Sequence, residues 1–167
     1  MHTMTNSTFP AIREIAPGDA EPLFCLYNHR RGPDSKRTFR AFGGESCTME
    51  PCLATIADNY TTPRQKFDVV AGDGTHLAGW GFVWKLLEPE PLFGLLVADA
   101  WQNQGLGRKV AMAALAGADA LGLPAVHLTV VVDNHHAIRL YASLGFIDTG
   151  GFRHDDGLDY RRMVRRR

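Results

Sequence analysis

Between Leu92 and Gly107 an apolar run ending at Val97 gives way to Gln102-Asn103-Gln104-Gly105-Leu106-Gly107 and then to a long helical pattern. Two glycines one residue apart at a helix start let the backbone come close to a ligand, and first-turn N–H groups have no partner within the helix. Those donors, with the positive end of the helix dipole, make a cradle for phosphate oxygens. No Gly-Lys-Ser/Thr follows, which excludes a nucleotide P-loop. A second cluster, Asn134-His135-His136-Ala137-Ile138-Arg139-Leu140-Tyr141 closing at Gly145-Phe146, lies about one strand and one helix downstream. Asn134 suits a helix cap, and Tyr141 falls on the helix that it would start.

The elements that must position these groups follow from periodicity and turn chemistry. Ala11 to Ile15 alternates as a first strand. Pro17-Gly18-Asp19 marks a turn, with Asp19 placed to cap a helix whose buried face carries Leu23, Phe24, Leu26 and Tyr27. Asn28 to Cys47, rich in Arg, Gly, Pro and Ser, reads as a long loop with at most a short helical piece. Thr48 to Tyr60 has helical spacing with Pro51 in its first turn. Phe67 to Ala71 and Leu77 to Leu86 form a hairpin around Gly72-Asp73-Gly74, where positive φ is tolerated. The strand Leu92 to Val97 is apolar on both faces and so central in its sheet. Leu106, Val110, Ala114, Ala118 and Leu121 give the next helix its apolar face. The strand Ala125 to Val132, the helix Ala137 to Leu144 and two terminal strands, Phe146 to Phe152 and Asp159 to Val164, complete the order.

A chain of 167 residues with 45% hydrophobic and 22% charged residues suits one globular domain with an adequate core. Lys plus Arg equals Asp plus Glu, at 18 each, so no overall field favours nucleic acid or an anionic membrane. The start has neither a basic n-region nor an apolar h-region, and no run approaches a membrane span. The expectation is a cytoplasmic protein with a flexible leader over 1–8. Cys25, Cys47 and Cys52 show no metal-ligand spacing and read as buried reduced thiols.

In their order and spacing the two motifs resemble the GNAT superfamily of N-acetyltransferases. The family pattern is Gln/Arg-x-x-Gly-x-Gly/Ala followed by Asn-x-x-Ala-x-x-x-Tyr-x-x-x-Gly-Phe. The likeness is close from Leu92 to Phe146 and extends elsewhere by layout alone. It implies an α/β fold of three layers, α/β/α, with a central mixed, mostly antiparallel sheet of about seven strands and about four helices. Residues 9–167 would then be a single acyl-CoA N-acyltransferase domain. The activity implied is direct transfer of an acetyl group from acetyl-CoA to a primary amine of a small molecule, protein or peptide, without metal. A noncatalytic acyl-CoA-binding or regulatory module is the alternative, and a homodimer is compatible with the family.

Residue by residue, the resemblance implies that Gln102, Asn103, Gln104, Gly105, Gly107 and Arg108 surround the coenzyme A diphosphate, mostly through backbone N–H groups. Backbone groups near Leu96 and Val97 would pair with the pantetheine like an added strand. Asn134 and Ala137 would contact the coenzyme, and Tyr141 would act as general acid toward the departing thiolate. Where the family usually carries Pro two residues after the conserved Val, this chain has Asp99, whose role stays open. The run Leu92 to Val97 offers no base. His127, His135, His136, Glu88, Glu90, Asp99 or a water chain remain as alternatives. The acceptor pocket is expected from the Asn28 to Cys47 loop and the final hairpin, with Arg30, Arg31, Arg37 and Arg40 available to recognise an acidic acceptor.

Overall fold

The first strand pairs antiparallel with a second strand from which three α-helices separate it along the chain. The computed structural model describes residues 9–167, so the expected leader lies outside the described residues. The elements are β1 (Ala11–Glu14), α1 (Ala20–His29), α2 (Pro33–Thr38), α3 (Met49–Ala57), β2 (Lys66–Gly72), β3 (Leu77–Trp84), β4 (Leu92–Val97), α4 (Leu106–Ala120), β5 (Ala125–Val131), α5 (His135–Ser143), β6 (Ile147–Asp155) and β7 (Leu158–Arg166). The β2–β3 turn closes on Asp73, whose Oδ1 accepts from the N–H groups of Thr75 and His76 at 2.9 and 2.8 Å, with Gly74 at φ +92°. Asp19 occupies the N-cap position of α1, as expected, but its side chain makes no cap bond. Its carboxylate instead accepts both Arg13 Nη atoms, at 2.7 and 2.8 Å, and the Ala16 N–H at 2.7 Å, bracing β1.

The seven strands form one sheet in the order β1-β2-β3-β4-β5-β7-β6, antiparallel throughout except where β4 meets β5. Alternation along β2 divides the core. Val69 and Ala71 meet Val110, Ala111 and Ala114 of α4, whereas Val70, Trp80 and Phe82 meet Leu23, Leu26 and Tyr27 of α1 and Cys52 and Ile56 of α3. Three layers result, and each fully buried Val or Leu contributes about 1.5–3 kcal/mol. A fifth helix, α2, occupies part of the expected loop, with Pro33 in its first turn. Arg165 lies near the end of β7. It forms a bidentate pair with Asp119 at 2.9 Å, tying β7 to α4. No helix of the described residues is long and apolar enough to cross a membrane.

Gly94 lies in β4 directly under the Phe82 ring, where a Cβ would overlap that ring. Gly94→Ala is expected to displace Phe82 and cost about 1–3 kcal/mol. It should lower the urea midpoint at constant m-value, and an unchanged midpoint would mean that Phe82 can swing away freely.

Candidate active site

The chain leaves β4, makes one 3-10 turn over Asp99–Trp101, and enters α4 through two residues in the left-handed region, Asn103 at φ +59° and Gly105 at φ +88°. The first N–H of the helix to bond backward is that of Lys109, to the Gly105 carbonyl at 3.3 Å. The N–H groups of Gly105, Leu106, Gly107 and Arg108 have no acceptor among the described residues, so four donors converge at the helix start. A Cβ on Gly105 would meet open space, but one on Gly107 would reach within 3.3 Å of Val97 Cγ2. The Gln104 amide holds the turn from outside by donating to the Ala100 carbonyl at 2.8 Å, and its side chain does not line the cleft. Arg108 reaches across to Ser143 Oγ at 2.7 Å, joining the first turn of α4 to the last turn of α5. Asn134 caps α5, its Oδ1 accepting the Ala137 N–H at 3.3 Å.

Strands β4 and β5 share a single parallel bridge, Leu92 with His127, and then part. Ala98 N–H donates to the Ala78 carbonyl, so by the two-residue alternation of an antiparallel ladder Leu96 turns its backbone groups to β3. The groups that face the fork are those of Leu95 and Val97. Leu96 therefore lines the cleft only with its side chain. The fork opens into a cleft of about 1380 Å³ that is also lined by Gln102, Asn103, Gly105, Gly107, Arg108, Asn134, Ala137 and Tyr141. Tyr141 packs edge-on against Phe93 and Phe146, with centroids 5.8 and 5.9 Å away, and its hydroxyl makes no hydrogen bond among the described residues. Burial pushes its pKa up to about 12.

The other end of the cleft is walled by the chain between α1 and α3. Four arginines of that segment were candidates for an anion site, and the structure divides them. Arg31 is buried and internal, its guanidinium 4.0 Å from the Tyr27 ring and donating to the carbonyls of Tyr27, Ser35, Phe39 and Glu45. Arg37 pairs with Asp34 and Asp133 at 3.0 and 3.3 Å. Only Arg40 of the four lines the cleft, paired with Glu45 at 3.4 Å and 4.0 Å from Asp156. Asp99 sits outside the cleft as a latch. Its carboxylate accepts the Gly32 N–H at 2.7 Å, Ser35 Oγ–H at 2.6 Å and the Gln102 amide at 3.2 Å, while its own N–H donates to the Arg30 carbonyl at 3.0 Å. The Gln102 amide also reaches the Val97 carbonyl at 3.2 Å.

Of the candidate bases, His136 lines the cleft, and His127, His135, Glu88, Glu90 and Asp99 do not. The structure adds carboxylates that sequence reasoning missed, Asp34, Asp58, Asp155 and Asp156, and a buried lysine, Lys66. Lys66 Nζ donates to Thr55 Oγ1, lies 3.5 Å from Asp68 Oδ2 and sits 4.3 Å from the centre of the Phe82 ring. Burial lowers its pKa and raises that of Asp68, whose Oδ2 also accepts Trp80 Nε1–H at 2.8 Å. The available signal was a Lys and an Asp two residues apart in an otherwise apolar strand. No group of three or more potential metal ligands occurs among the described residues.

A forked sheet with an N–H cradle at its open end defines an acyltransferase-type fold, and the chain belongs to the acetyltransferase (GNAT) family, whose profile matches residues 35–146. The mycothiol acetyltransferase of Nocardiopsis dassonvillei is 36% identical over 111 residues, 59% of this chain and 32% of that protein. The mycothiol acetyltransferase of Thermomonospora curvata is 32% identical over 138 residues, 81% of this chain and 43% of that one. The chain thus spans less than half the length of these relatives. Among solved structures, yncA of Salmonella typhimurium with its cofactor acetyl-CoA superposes with a TM-score of 0.77 at 20% identity, covering 96% of this chain and 94% of that one. The spermidine N-acetyltransferase of Vibrio cholerae in complex with CoA and spermine gives 0.72 at 21%, covering 95% of each chain. Likeness at these identities is likeness of fold.

Asp99→Ala removes the acceptor of the Gly32 N–H and Ser35 hydroxyl and should cost about 1 kcal/mol locally. Amide exchange over Gly32 to Phe39 is expected to quicken by about fivefold or more while the α4 amides stay protected. Equal exchange in parent and variant would show that α2 holds its place without the latch.

Proposed function

We propose that this protein transfers the acetyl group of acetyl-CoA directly to a primary amine. The observation that carries the reading is the fork itself: backbone groups of Leu95 and Val97 left without a strand partner, between an N–H cradle and a phenol with no hydrogen bond. These groups suit the coenzyme in sequence along its length. The four N–H donors of Gly105 to Arg108 would hold the diphosphate. The free backbone groups at Leu95 and Val97 would take the pantetheine amides as an added strand, after the Gln102 amide yields the Val97 carbonyl. When bound, acetyl-CoA supplies the activated thioester.

Tyr141 stands beside the fork with its proton held firmly by burial. A thiolate expelled next to the Phe93 and Phe146 rings would lack water, so the Tyr141 hydroxyl is the donor for the departing sulfur. The incoming ammonium must lose a proton before it attacks, and Asp58, Asp155, Asp156 and His136 are the cleft groups able to receive it. At the acceptor end Phe39, Phe42, Phe82 and Trp84 stand among four carboxylates, opposed by Arg40, Arg153 and Lys66. That mixture suits a cationic amine carried on an apolar or mixed body. It offers less to an acidic acceptor, because Arg31 is committed to buried carbonyls and Arg37 to the surface carboxylates of Asp34 and Asp133.

Gly105→Asp places a carboxylate in the cradle and strains a φ of +88°. Its dissociation constant for coenzyme A, read by calorimetry, should rise by at least about tenfold, and unchanged affinity would place the coenzyme elsewhere. Tyr141→Phe keeps the ring and removes the donor. Release of coenzyme A thiol across an amine panel should fall by about 10 to 10⁴-fold with little change in coenzyme A affinity. Because the Tyr141 pKa is pushed up to about 12, the parent should show no loss of rate from this group below about pH 10. Binding of coenzyme A with no turnover on any amine would favour the noncatalytic module.

A further inference from the structure

Two thiols outside the cleft form a pair that the transfer reaction does not use. Cys47 immediately precedes Thr48, the N-cap of the nine-residue helix α3, and Cys52 is the fourth residue of that helix. Side chains at these two positions ordinarily meet as an apolar staple across a helix start. Here the staple is made of sulfur: Cys47 Sγ and Cys52 Sγ lie 3.8 Å apart, unbonded. Cys52 is fully buried and Cys47 partly exposed, so only one thiol meets solvent. Asn28 at the end of α1 clamps the exposed one. Its Nδ2 lies 3.6 Å from Cys47 Sγ and donates to the Cys47 carbonyl at 3.1 Å, and its Oδ1 accepts the Cys47 N–H at 2.8 Å. Thr48 supplies no side-chain cap, so the first-turn N–H groups of α3 stay open beside Cys47.

We propose that Cys47 and Cys52 are an oxidative modification site, closed to a disulfide by a peroxide. The Cys47 thiolate attacks one peroxide oxygen, the O–O bond breaks, and Cys47 becomes a sulfenic acid as the other oxygen leaves as water. The Cys52 sulfur then attacks the sulfenyl sulfur. The S–S bond forms, the S–O bond breaks, and the hydroxide leaves as water with the Cys52 proton. Two thiols are oxidised and one peroxide is reduced to two waters. Burial, then the charge of Cys47, raises the Cys52 pKa to about 12, in keeping with its role as the second, resolving sulfur. The bond would tie the last residue of the Arg31 to Cys47 wall to α3, whose Pro51, Ala54 and Thr55 form the facing part of the same cleft. This inference does not rest on the acetyl-transfer reading.

The test is hydrogen peroxide treatment of the intact protein, blocking with iodoacetamide, and peptide mass mapping. The expected product has lost the mass of two hydrogen atoms and links Cys47 to Cys52, with Cys25 alkylated, and dithiothreitol reverses it. In Cys52→Ser, Cys47 should instead be trapped by dimedone as the sulfenic acid. Should that variant fail to fold, the parent decides alone. Cys47 and Cys52 recovered unlinked under conditions that oxidise Cys25, or links formed only between molecules, would overturn the proposal.

Discussion

Adjacent strands normally remain paired, because each further bridge satisfies backbone groups that would otherwise lose water for nothing. In this sheet β4 and β5 give that up after Leu92 and His127, and the rest of the site depends on their parting. Past the bridge β5 follows β7 while β4 stays in register with β3. Three rings, Phe93, Tyr141 and Phe146, fill the space near the fork through edge-on and tilted contacts. Leaving buried polar backbone unsatisfied costs about 1–3 kcal/mol per group. At Val97 the Gln102 amide occupies the carbonyl, and Leu95 and Val97 are half-buried along the open cleft rather than sealed from water.

The wall of the cleft between α1 and α3 faces the same constraint and meets it by other means. Between α1 and α3 the chain has only the six residues of α2 to satisfy its backbone. Arg31 compensates from within by donating to four carbonyls spread over Tyr27 to Glu45. A guanidinium tolerates such burial only when its donors are paired, which makes Arg31 a scaffold and removes it from ligand recognition. Asp99 compensates from outside and does so at the foot of β4. The wall and the cradle are thereby joined by one carboxylate and the Gln102 amide, at Ser35.

Below that wall the Lys66 and Asp68 pair is costly to bury, and a pair of apolar residues of similar size would hold the sheet about as well. Its evident consequence is placement. Asp68 fixes the Trp80 indole by hydrogen bonding, and the Lys66 ammonium lies near both the Trp80 and Phe82 rings. Phe82 lines the cleft with Phe39 and Phe42, and the buried Trp80 packs against all three.

Local patterning alone was enough to locate every strand, the helices α1, α3, α4 and α5, the Asp73 hairpin and the glycine turn. These depend on neighbours within a few residues, whose periodicity and φ preferences are written in order along the chain. The cradle donors follow from the same short range, since a helix start always exposes its N–H groups. What tertiary structure decided lies at longer range: which arginine is buried and which lines the cleft, and the role of Asp99, whose partners Ser35 and Gly32 precede it by 64 and 67 residues. The charge pair under Phe82 and the free edge at Leu95 and Val97 belong to the same category. Residue type leaves such roles open, because an arginine or an aspartate serves scaffold and ligand equally well. Only its distance from competing partners, set when the layers pack, selects between them.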